Sequence, residues 1–362
     1  MSGTGFDVAV VGAGIVGSAI AFECARRGAR VVLLERDEPG VHASGAAAGM
    51  LAPCSEAQQA GPFLDLARDS LTLWPEFAAG AFEVGGVDAE LHLGGLLRVA
   101  LTDGDANDVR SRLRWQHDHG ITDGTWVDRA DAAALEPALT RDTAGAAWYP
   151  GEGHVHGRHA VRSLVAAAKA HGAQLRIGTT VDGPYAVVDA THVVLAAGAW
   201  LGDLAARFGT PLPITPIHGQ LVALADLPHT PRRVLYAGRH GYVVAKQDST
   251  VLSGATEEDR GFDTTPDPAA AAGLEHTARR LLRDAEHVHA HNTWTGLRPA
   301  TPDRLPLLGP LPGGDGARVV VAGGHYRNGV LLAPATARGI AGMVLDGRTP
   351  PNWEAFDPGR FG

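Results

Sequence analysis

The chain has 362 residues, 45% of them hydrophobic and 20% charged, which is a globular composition long enough to form two domains. A net charge of −9 argues against nucleic-acid binding, and two cysteines exclude a disulfide framework or a cysteine-rich metal site. No apolar run reaches about 18 residues, and the N-terminus has no basic, cleavable leader. We therefore expect a cytoplasmic protein with no membrane span.

The first elements in chain order predict a dinucleotide-binding unit. Apolar residues predict a buried strand at 6–11, a helix at 18–27 and a second buried strand at 29–34. The turn Gly12-Ala13-Gly14-Ile15-Val16-Gly17 lies between the first strand and the helix, and Glu35 follows the second strand. A glycine-rich turn in this setting, with an acidic residue at the next strand, is the βαβ fingerprint of dinucleotide binding.

Each residue of this fingerprint has a physical task. Gly12 allows the tight turn, Gly14 lets the backbone approach a pyrophosphate, and Gly17 lets the helix pack closely against the strand. The N-terminus of the helix offers free N–H groups to the phosphates. Glu35 can accept hydrogen bonds from ribose hydroxyls, and its charge disfavours the 2′-phosphate of NADP.

The following stretch continues the small-residue pattern. Seven consecutive small residues at 43–49 predict either the close approach of a flat ligand or the start of a short helix. A helix is expected at 64–74, with Pro75 just past its end. Further helices are expected at 106–119, 130–135, 158–171, 269–284 and 331–345.

The expected strands fall into two groups that alternate along the chain. One group belongs with the βαβ unit, at 174–177, 181, 192–195 and 319–322. The strand at 192–195 runs into Ala196-Ala197-Gly198-Ala199-Trp200, so Ala197 and Gly198 are expected in a second turn against the nucleotide. The other group lies at 94–101, 218–224, 241–246, 250–254 and 287–297, and its middle three strands predict an antiparallel sheet.

This alternation predicts two discontinuous domains. A nucleotide-binding α/β domain comprises 1–84, 148–215 and 298–362. A second domain, of α+β type, comprises 85–147 and 216–297.

Several motifs together identify a family. They are Val11–Ser18, Ser44–Met50, Gly241-Tyr242-Val243-Val244, Gly254-Ala255-Thr256, Thr295-Gly296-Leu297-Arg298-Pro299 and Ala322–Pro334. With them nearly the whole chain resembles the D-amino-acid oxidase superfamily of FAD-dependent oxidoreductases, and most of all its glycine oxidase group, the flavoenzymes of thiamine biosynthesis. The last two motifs are specific to this group, whereas the glycine-rich turn alone is not.

The resemblance implies a fold and a reaction. The fold is a Rossmann-like FAD-binding domain interleaved with a substrate domain built on an antiparallel sheet, with FAD bound non-covalently. The reaction is oxidative deamination of a small amino acid or amine, such as glycine, sarcosine or a D-amino acid. Hydride passes to flavin N5, and O₂ reoxidises the flavin to give H₂O₂. The partners are then a small-molecule substrate and O₂, with no nucleic acid or membrane, in a monomer or homo-oligomer.

Two other functions stay open from the residues. One is a flavin-dependent amino-acid or imino-acid dehydrogenase that passes electrons to an acceptor other than O₂. The other is a non-catalytic nucleotide-binding sensor, which has no need of a carboxylate clamp beside a flavin.

The resemblance also implies two sets of site residues. FAD contacts fall on Ile15, Val16, Glu35, Arg36, Ser44, Ala48, Gly49, Met50, Val181, His325, Tyr326, Asn328, Gly329, Val330 and Leu331. Substrate contacts fall on Arg298, Arg327, Tyr242 and His240.

The chemistry of the substrate residues agrees with this assignment. A planar guanidinium binds both oxygens of a carboxylate, so Arg298 is expected to anchor the substrate and Arg327 to line the pocket. Without the motif, an arginine in a Gly/Pro loop is an ordinary surface charge. Tyr242 is either a pocket wall or a core aromatic residue, and His240 is either a pocket residue or a solvated loop histidine. No catalytic base is expected, because the flavin carries the redox chemistry.

Three features depart from the pattern or compete with it. Glu257 stands where the family more often has an apolar residue, and it either enters the pocket or is a solvated hairpin charge. Cys54 is interpreted as a free thiol and not as a flavin attachment site. Two histidine groups, His154, His156 and His159 and then His287, His289 and His291, have spacings that can bind metals, but no metal site is expected.

Overall fold

The computed structural model describes residues 5–186, 188–313 and 318–362. Within these residues the strands are β1 (Phe6–Val11), β2 (Val31–Leu34), β3 (Met50–Leu51), β4 (Leu96–Ala100), β5 (Thr125–Val127), β6 (Gly145–Tyr149), β7 (Gly153–His154), β8 (Gln174–Arg176), β9 (Ala190–Leu195), β10 (Thr215–Ala225), β11 (Val234–Tyr236), β12 (Tyr242–Ala245), β13 (Val251–Gly254), β14 (His289–Ala300), β15 (Leu307–Pro310) and β16 (Val319–Gly323). The α-helices are α1 (Ile15–Arg26), α2 (Ala43–Ala46), α3 (Pro53–Glu56), α4 (Pro62–Gly85), α5 (Asp103–Asp118), α6 (Arg129–Leu135), α7 (Gly157–Ala170), α8 (Leu201–Arg207), α9 (Pro268–Leu281) and α10 (Gly329–Asp346).

One sheet carries the predicted nucleotide-binding unit. Its strand order is β15-β16-β9-β1-β2-β8, and all neighbours are parallel except the edge pair of β15 and β16. Alternate residues of β1 face opposite sides. Val8 and Val10 pack with α1, α4, α7 and α10, whereas Ala9 and Val11 pack with α8. Both faces are covered, as a mainly parallel sheet requires.

The second sheet is mainly antiparallel. Its order is β14-β10-β13-β12-β11-β4-β6-β5, with one parallel pair, β11 and β4. The apolar residues of α6 and α9 pack on one face, and those of α5 pack on the other. The expected fold class, a Rossmann-like domain with an antiparallel-sheet domain, is therefore confirmed. The exact domain boundaries stay a prediction.

The predicted end of the helix expected at 64–74, which corresponds to α4, is wrong. Proline lacks an N–H and disfavours helix continuation by about 3 kcal/mol, which favours an end at Trp74. In the structure α4 continues to Gly85 with Pro75 inside it. Trp74, Phe77 and Ala81 lie on both sides of the proline and enter one core with α7 and α10. Burial of each large apolar side chain contributes about 1.5–3 kcal/mol, so packing outweighs the local preference.

The remaining differences concern short elements, among them the helices α3 and α8 and the strands β3, β7 and β15, which the sequence analysis did not predict. Val181, expected in a strand, lies in irregular backbone, and β5, β6 and β11 are strands that the sequence analysis did not identify. These three have three to five residues, too few to show a reliable alternation of apolar and polar side chains.

Helix α10 is a core helix with unusual composition. Within the described residues it is the one helix long and apolar enough to cross a membrane, and two-thirds of it, 67%, is buried in the fold. It packs against α1 and α4 and contains Pro334. The apolar character of α10 is therefore explained by its packing against other helices inside the fold.

Candidate active site

A cavity of about 1160 Å³ lies where the two sheets meet. Its walls come from the turn after β1, the small-residue stretch, strands β10, β12 and β14, and the start of α10. A second cavity of about 800 Å³ lies at the carboxyl ends of β1 and β2. Gly14, Ala43, Ser44, Ala196 and Gly198 line both cavities. The two spaces therefore adjoin at the glycine-rich turn, where a dinucleotide is expected in this fold.

The glycines of the turn have different reasons for lacking a side chain. Gly12 has φ +103°, and a Cβ there would lie 2.6 Å from the Ala196 carbonyl oxygen. A Cβ on Gly17 would overlap the Gly12 carbonyl oxygen, so Gly17 serves the close packing of α1 and does not line a cavity. Gly14 is open apart from Ser44 Oγ, 3.3 Å from a Cβ. Protein packing does not require glycine at position 14, and its absence of a side chain would let a ligand approach the main chain closely.

The 800 Å³ cavity has the features of a ribose and base site. Glu35 lines it, with Oε2 accepting from Ala13 N at 2.6 Å and Oε1 accepting from Asp37 N at 2.9 Å. The Arg36 guanidinium lies 4.6 Å from the centre of the Trp200 ring. Further lining residues are Gly12, Val181, Ala197 and Gly198. The Glu35 carboxylate is thus held in place by backbone N–H groups while it faces the cavity.

The small-residue stretch contributes a helix and a cavity wall together. It begins with the four-residue helix α2 and continues into β3. Ala48, Gly49 and Met50 line the larger cavity, as does Ser44, whose Oγ accepts from Ile15 N at 2.9 Å. Ile15 and Val16 line the same wall. The expected short helix is therefore present, and the close approach of a flat ligand to the rest of the stretch stays a prediction.

The N-terminus of α10 faces the larger cavity. Asn328, Gly329 and Val330 line it, and the N-cap residue Asn328 makes no side-chain hydrogen bond to the first turn. The uncapped N–H groups and the helix dipole favour a partial negative charge at this point. Leu331 does not line the cavity; its carbonyl accepts from Ser70 Oγ at 2.7 Å and Trp74 Nε1 at 3.1 Å.

His325 and Tyr326 lie just before this helix and line the same cavity. His325 is buried, its Nε2 lies 3.1 Å from Thr336 Oγ1, and burial lowers its pKa to about 4. The imidazole is therefore neutral at physiological pH. Tyr326 has φ +50°, and burial, with Glu257 nearby, raises its pKa to about 12.

Arg298 projects from β14 into the larger cavity. Its Nη1 donates to the Thr256 carbonyl oxygen at 2.9 Å, and burial lowers its pKa. No carboxylate of the described residues forms an ion pair with it. Gly219 on β10 pairs with Gly296, and a Cβ on Gly219 would overlap the Arg298 guanidinium. The Arg298 guanidinium thus occupies the space over position 219 of β10 that any larger residue would fill with its side chain.

Arg327 lies across the cavity in a different electrostatic setting. Its Nη2 contacts Glu56 Oε1 at 3.1 Å, and its Nη1 lies 3.8 Å from Glu257 Oε2. Glu56 is the main cause of a raised pKa for the Arg327 guanidinium. Tyr242 on β12 lines the cavity, and burial raises its pKa to about 12, so its hydroxyl is neutral.

Structure and expectation differ at His240. This residue ends a 3-10 turn, Gly238–His240, before Gly241 with φ +111°. It is not among the residues that line either cavity. The structure therefore brings Arg298, Arg327 and Tyr242 together and leaves His240 outside the cavity wall, and a substrate contact from His240 stays a prediction.

Three site residues were not identified from the sequence. Glu56 lines the larger cavity but lies in a short helix without a motif. Gly219 matters because of a side chain 79 positions away. Trp200 is part of the second small-residue turn, and an aromatic residue directly after such a turn was a usable signal. All three are defined by tertiary contacts more than by local pattern.

A buried polar network supports α3 from behind. Glu152 Oε1 accepts from Cys54 N at 2.6 Å and Ser55 N at 2.9 Å, and burial raises the pKa of Glu152 to about 7. Gln116 Nε2 donates to the Cys54 carbonyl oxygen at 2.6 Å, and Arg98 Nη1 donates to that of Ser55 at 2.5 Å. The helix that presents Glu56 is therefore fixed by hydrogen bonds to its own backbone.

The cysteine and histidine features lie outside the cavities. Cys54 is an unpaired, buried thiol whose pKa is raised by burial, and it lines neither cavity. Within the described ranges, no group of three or more metal-binding side chains could hold an ion. His156 and His159 stack at 4.0 Å, His159 Nδ1 lies 2.5 Å from Glu90, and His154 Nδ1 lies 3.2 Å from Lys246 Nζ.

Comparison with known proteins places this geometry in a family. The family model described as FAD dependent oxidoreductase matches residues 7–343. Glycine oxidase from Geobacillus kaustophilus is 36% identical, over 94% of this chain and 93% of that protein. Its crystal structure superposes with a TM-score of 0.91 at 34% identity and covers 98% of both chains.

Other relatives extend the comparison. Glycine oxidase from Pseudomonas aeruginosa is 35% identical over 95% of both chains. The bifunctional protein ThiO/ThiG of Trichormus variabilis is 34% identical over 98% of this chain, which spans about half (55%) of that longer protein. The small-residue walls, the open Gly14 and the uncapped helix α10 also fit a flavin dinucleotide. The chain therefore belongs to the FAD-dependent oxidoreductases, in the group that includes the glycine oxidases, and is an enzyme with FAD as its cofactor.

Proposed function

We propose that this enzyme oxidatively deaminates a small amino acid of the glycine, sarcosine or D-amino-acid type. For glycine, the balanced reaction consumes O₂ and H₂O and yields glyoxylate, NH₃ and H₂O₂. FAD, when bound, would supply the two-electron chemistry, with flavin N5 as the acceptor of the α-carbon hydride and O₂ as the final electron acceptor. The names of the relatives support glycine as the first substrate to test.

The observation that carries the proposal is the unpaired guanidinium of Arg298. A partly buried cation without a carboxylate partner loses hydration that a bound anion can replace. An amino-acid carboxylate matches the planar fork of the guanidinium and can accept two hydrogen bonds from it. Arg298 would thus hold the substrate by its carboxylate and direct the amine and α-carbon into the cavity.

Other residues would complete the substrate pocket. Tyr242 is neutral and can donate a hydrogen bond to the same carboxylate. Alanine and glycine residues elsewhere in the cavity wall leave space for a flat ring system. Orientation of the α-carbon is the main contribution that such a protein makes to hydride transfer, because the reacting atoms must be held near contact.

The cofactor would extend through both cavities. Glu35, Arg36 and Val181 would hold the adenosine part, and the glycine-rich turn would hold the pyrophosphate. Ser44, Ala48, Gly49 and Met50 would contact the flavin, together with His325, Tyr326 and the start of α10. The N–H groups of Gly329 and Val330 would stabilise negative charge on the pyrimidine side of the ring.

The direct test is anaerobic reduction of the purified yellow holoenzyme. Glycine, sarcosine and D-alanine are each mixed with enzyme, and flavin absorbance is followed in a stopped-flow instrument. We expect reduction by at least one of them, then rapid recovery of the oxidised spectrum and formation of H₂O₂ on mixing with air. Methylamine, which lacks the carboxylate, is the matched control and should reduce the flavin far more slowly.

Two outcomes would replace the proposal. If the reduced enzyme remains reduced in air for minutes but an artificial dye reoxidises it, the protein is a dehydrogenase. If no amine reduces the flavin, the protein binds nucleotide without amine oxidation. Acid precipitation checks the cofactor separately, because non-covalent FAD leaves with the supernatant.

A further inference from the structure

Trp200 presents a large aromatic ring beside the 800 Å³ cavity. It ends the 3-10 turn Gly198–Trp200, shortly after β9, and lines that cavity together with Arg36 and His42. The Arg36 guanidinium lies 4.6 Å from the centre of the Trp200 ring, and the centre of the His42 ring lies 4.7 Å from it. The indole is therefore part of the wall of the proposed adenosine site.

Phe262 approaches this ring from the antiparallel sheet. It lies in the segment 255–267, between β13 and α9. The centres of the Phe262 and Trp200 rings are 5.7 Å apart, and their planes are inclined by 28°, which is a stacked arrangement. Phe262 is 47% exposed and lines neither cavity, so it is not a core residue. Its stacking on Trp200 is therefore the contact that an aromatic residue at this position provides.

The segment that carries Phe262 is fixed to the antiparallel sheet on both sides of this residue. Before it, His218 N donates to the Glu258 carbonyl oxygen at 2.8 Å, and Glu258 N donates to that of His218 at 3.0 Å. After it, Thr295 Oγ1 donates to the Thr264 carbonyl oxygen at 2.7 Å. Phe262 is thus held against Trp200 by hydrogen bonds to β10 and β14.

Two distant parts of the chain therefore meet at one ring. The segments after β2 and β9 supply Arg36 and Trp200, whereas the antiparallel sheet supplies Phe262. An indole stacked on a fixed ring has fewer rotamers open to it than one that faces solvent. A wall that is already ordered binds its ligand more tightly, because less conformational freedom is lost on binding. Aromatic walls of this kind suit a purine base, which has its own flat face.

We propose that Phe262 is a positioning residue for the adenosine end of FAD and acts through Trp200. The adenosine site is then completed by a segment of the antiparallel sheet and is not formed by the βαβ unit alone. The inference rests on the proposed placement of adenosine in the 800 Å³ cavity and is independent of the amine substrate. It requires that the Phe262 ring matters for FAD and not for a flavin that lacks adenylate.

The experiment measures cofactor release from the holoenzyme. Unmodified protein and Phe262→Ala are diluted to a series of concentrations and ultrafiltered, and the flavin fluorescence of the filtrate gives the Kd. Loss of one stacked aromatic pair should raise the Kd for FAD by roughly 3- to 10-fold. The same proteins loaded with FMN, which has no adenylate part, should differ in Kd by less than twofold.

The matched control is Phe82→Ala. Phe82 is 52% exposed on α4 and lines neither cavity, so its loss should leave the Kd for FAD within twofold of that of the unmodified enzyme. Phe262→Tyr keeps the ring and should also stay within twofold. Phe262→Leu keeps an apolar side chain without the ring and should weaken FAD binding in the same direction as Phe262→Ala. It serves as the test if the alanine variant does not fold.

A double-mutant cycle separates an effect through Trp200 from a general loss of stability. In a Trp200→Ala background, Phe262→Ala should add less than a twofold further change in the Kd for FAD, because the ring that it positions is absent. An unchanged Kd in Phe262→Ala, an equal loss of FAD and FMN, or a full additive loss in the double variant overturns the proposal. Because the measurement contains no amine, failure to oxidise glycine leaves its result unchanged.

Discussion

The two cavities of this enzyme are built in different ways. The nucleotide part combines glycine, alanine and serine with larger side chains such as Glu35, Arg36 and Trp200, and most of its residues come from short segments directly after β1, β2, β8 and β9. The substrate part is lined by long side chains from β12, β14, α3 and the segment before α10. The nucleotide part is therefore formed mostly by turns with short side chains close to one another in sequence. The substrate part is formed by long side chains from segments far apart in the sequence.

This difference decides how each part responds to change. A site formed by a glycine-rich turn loses affinity for its ligand when a side chain is added to the turn or when a hydrogen bond that holds the turn is removed. A side-chain site loses function when a single charged group is removed or displaced. The predictions below separate these two behaviours, with kcat/KM and carboxylate binding as measures of the substrate part and FAD affinity as the measure of the nucleotide part.

The largest effect is expected from Arg298→Ala. Loss of one partner of a desolvated ion pair costs about 2–5 kcal/mol, which corresponds to a fall in kcat/KM of roughly 30- to 4000-fold. FAD content should be unchanged, because Arg298 belongs to the substrate part. Steady-state kinetics with the best amino acid and the flavin absorbance of the purified variant give the two measurements.

Two further observations sharpen the Arg298 prediction. Arg298→Lys should recover only part of the activity, because an ammonium group cannot present a bidentate fork. An amine without a carboxylate should react equally slowly with all three proteins. Full activity of Arg298→Ala, or loss of flavin from it, would show that this arginine has a structural role and that the substrate carboxylate binds elsewhere.

The next effect is expected from Gly219→Ala, which leaves every charge in place. The added Cβ would overlap the Arg298 guanidinium, and overpacking of this kind costs about 1–3 kcal/mol. Acetate binding, measured by the change in flavin absorbance, and kcat/KM should therefore fall by roughly 5- to 150-fold, with FAD affinity unchanged. Gly273→Ala in α9 is the control, because a Cβ there meets no atom within 4 Å. A Gly219→Ala enzyme with normal acetate affinity would show that Arg298 can shift at no cost.

Arg298 and Gly219 show which features of the site can be predicted from the sequence and which cannot. Arg298 was identified because its motif has a recognisable order, but its dependence on Gly219 exists only in the register of β10 with β14. Glu56 was not predicted as a site residue for the same reason, because its contact in the cavity is with Arg327, 271 positions later in the sequence. The nucleotide turn was predictable because strand, glycines, helix and Glu35 follow one another within 30 residues.

The end of α4 is a second feature that could not be predicted from local sequence. Pro75 predicts a helix end from local geometry, yet α4 continues because Trp74 and Phe77 are both needed in the core. A sequence rule based on i−4 hydrogen bonds contains no information on that distant packing. The core of the parallel sheet was predictable, by contrast, because buried strands have continuous apolar runs.

A comparable effect, on FAD binding and not on substrate binding, is expected in the nucleotide part from Glu35→Ala. The change removes hydrogen bonds to Ala13 N and Asp37 N as well as those expected to ribose, and it should weaken FAD binding by about 1–3 kcal/mol. Glu35→Gln keeps an acceptor oxygen and should lose less. Titration of apoenzyme with FAD gives the Kd, and acetate affinity of the reloaded enzyme should stay normal. Equal FAD affinity in all three proteins would place the ribose contact elsewhere.

The smallest effect on activity is expected at Glu152, which lies behind the substrate part and lines neither cavity. Burial raises its pKa to about 7 from 4.5, so between these pH values the folded protein holds a proton that the unfolded chain releases. Its contribution to stability is therefore complete below about pH 4.5 and is lost as pH rises through 7. Glu152→Gln removes this titration, so its stability relative to the unmodified holoenzyme should increase by about 2–3 kcal/mol from pH 5 to pH 8. Urea unfolding at both pH values measures the difference, and the exposed Glu83→Gln should show no such change. A relative stability that stays constant or falls with pH would mean that Glu152 is ionised in the folded state throughout, stabilised by the N–H groups of Cys54 and Ser55.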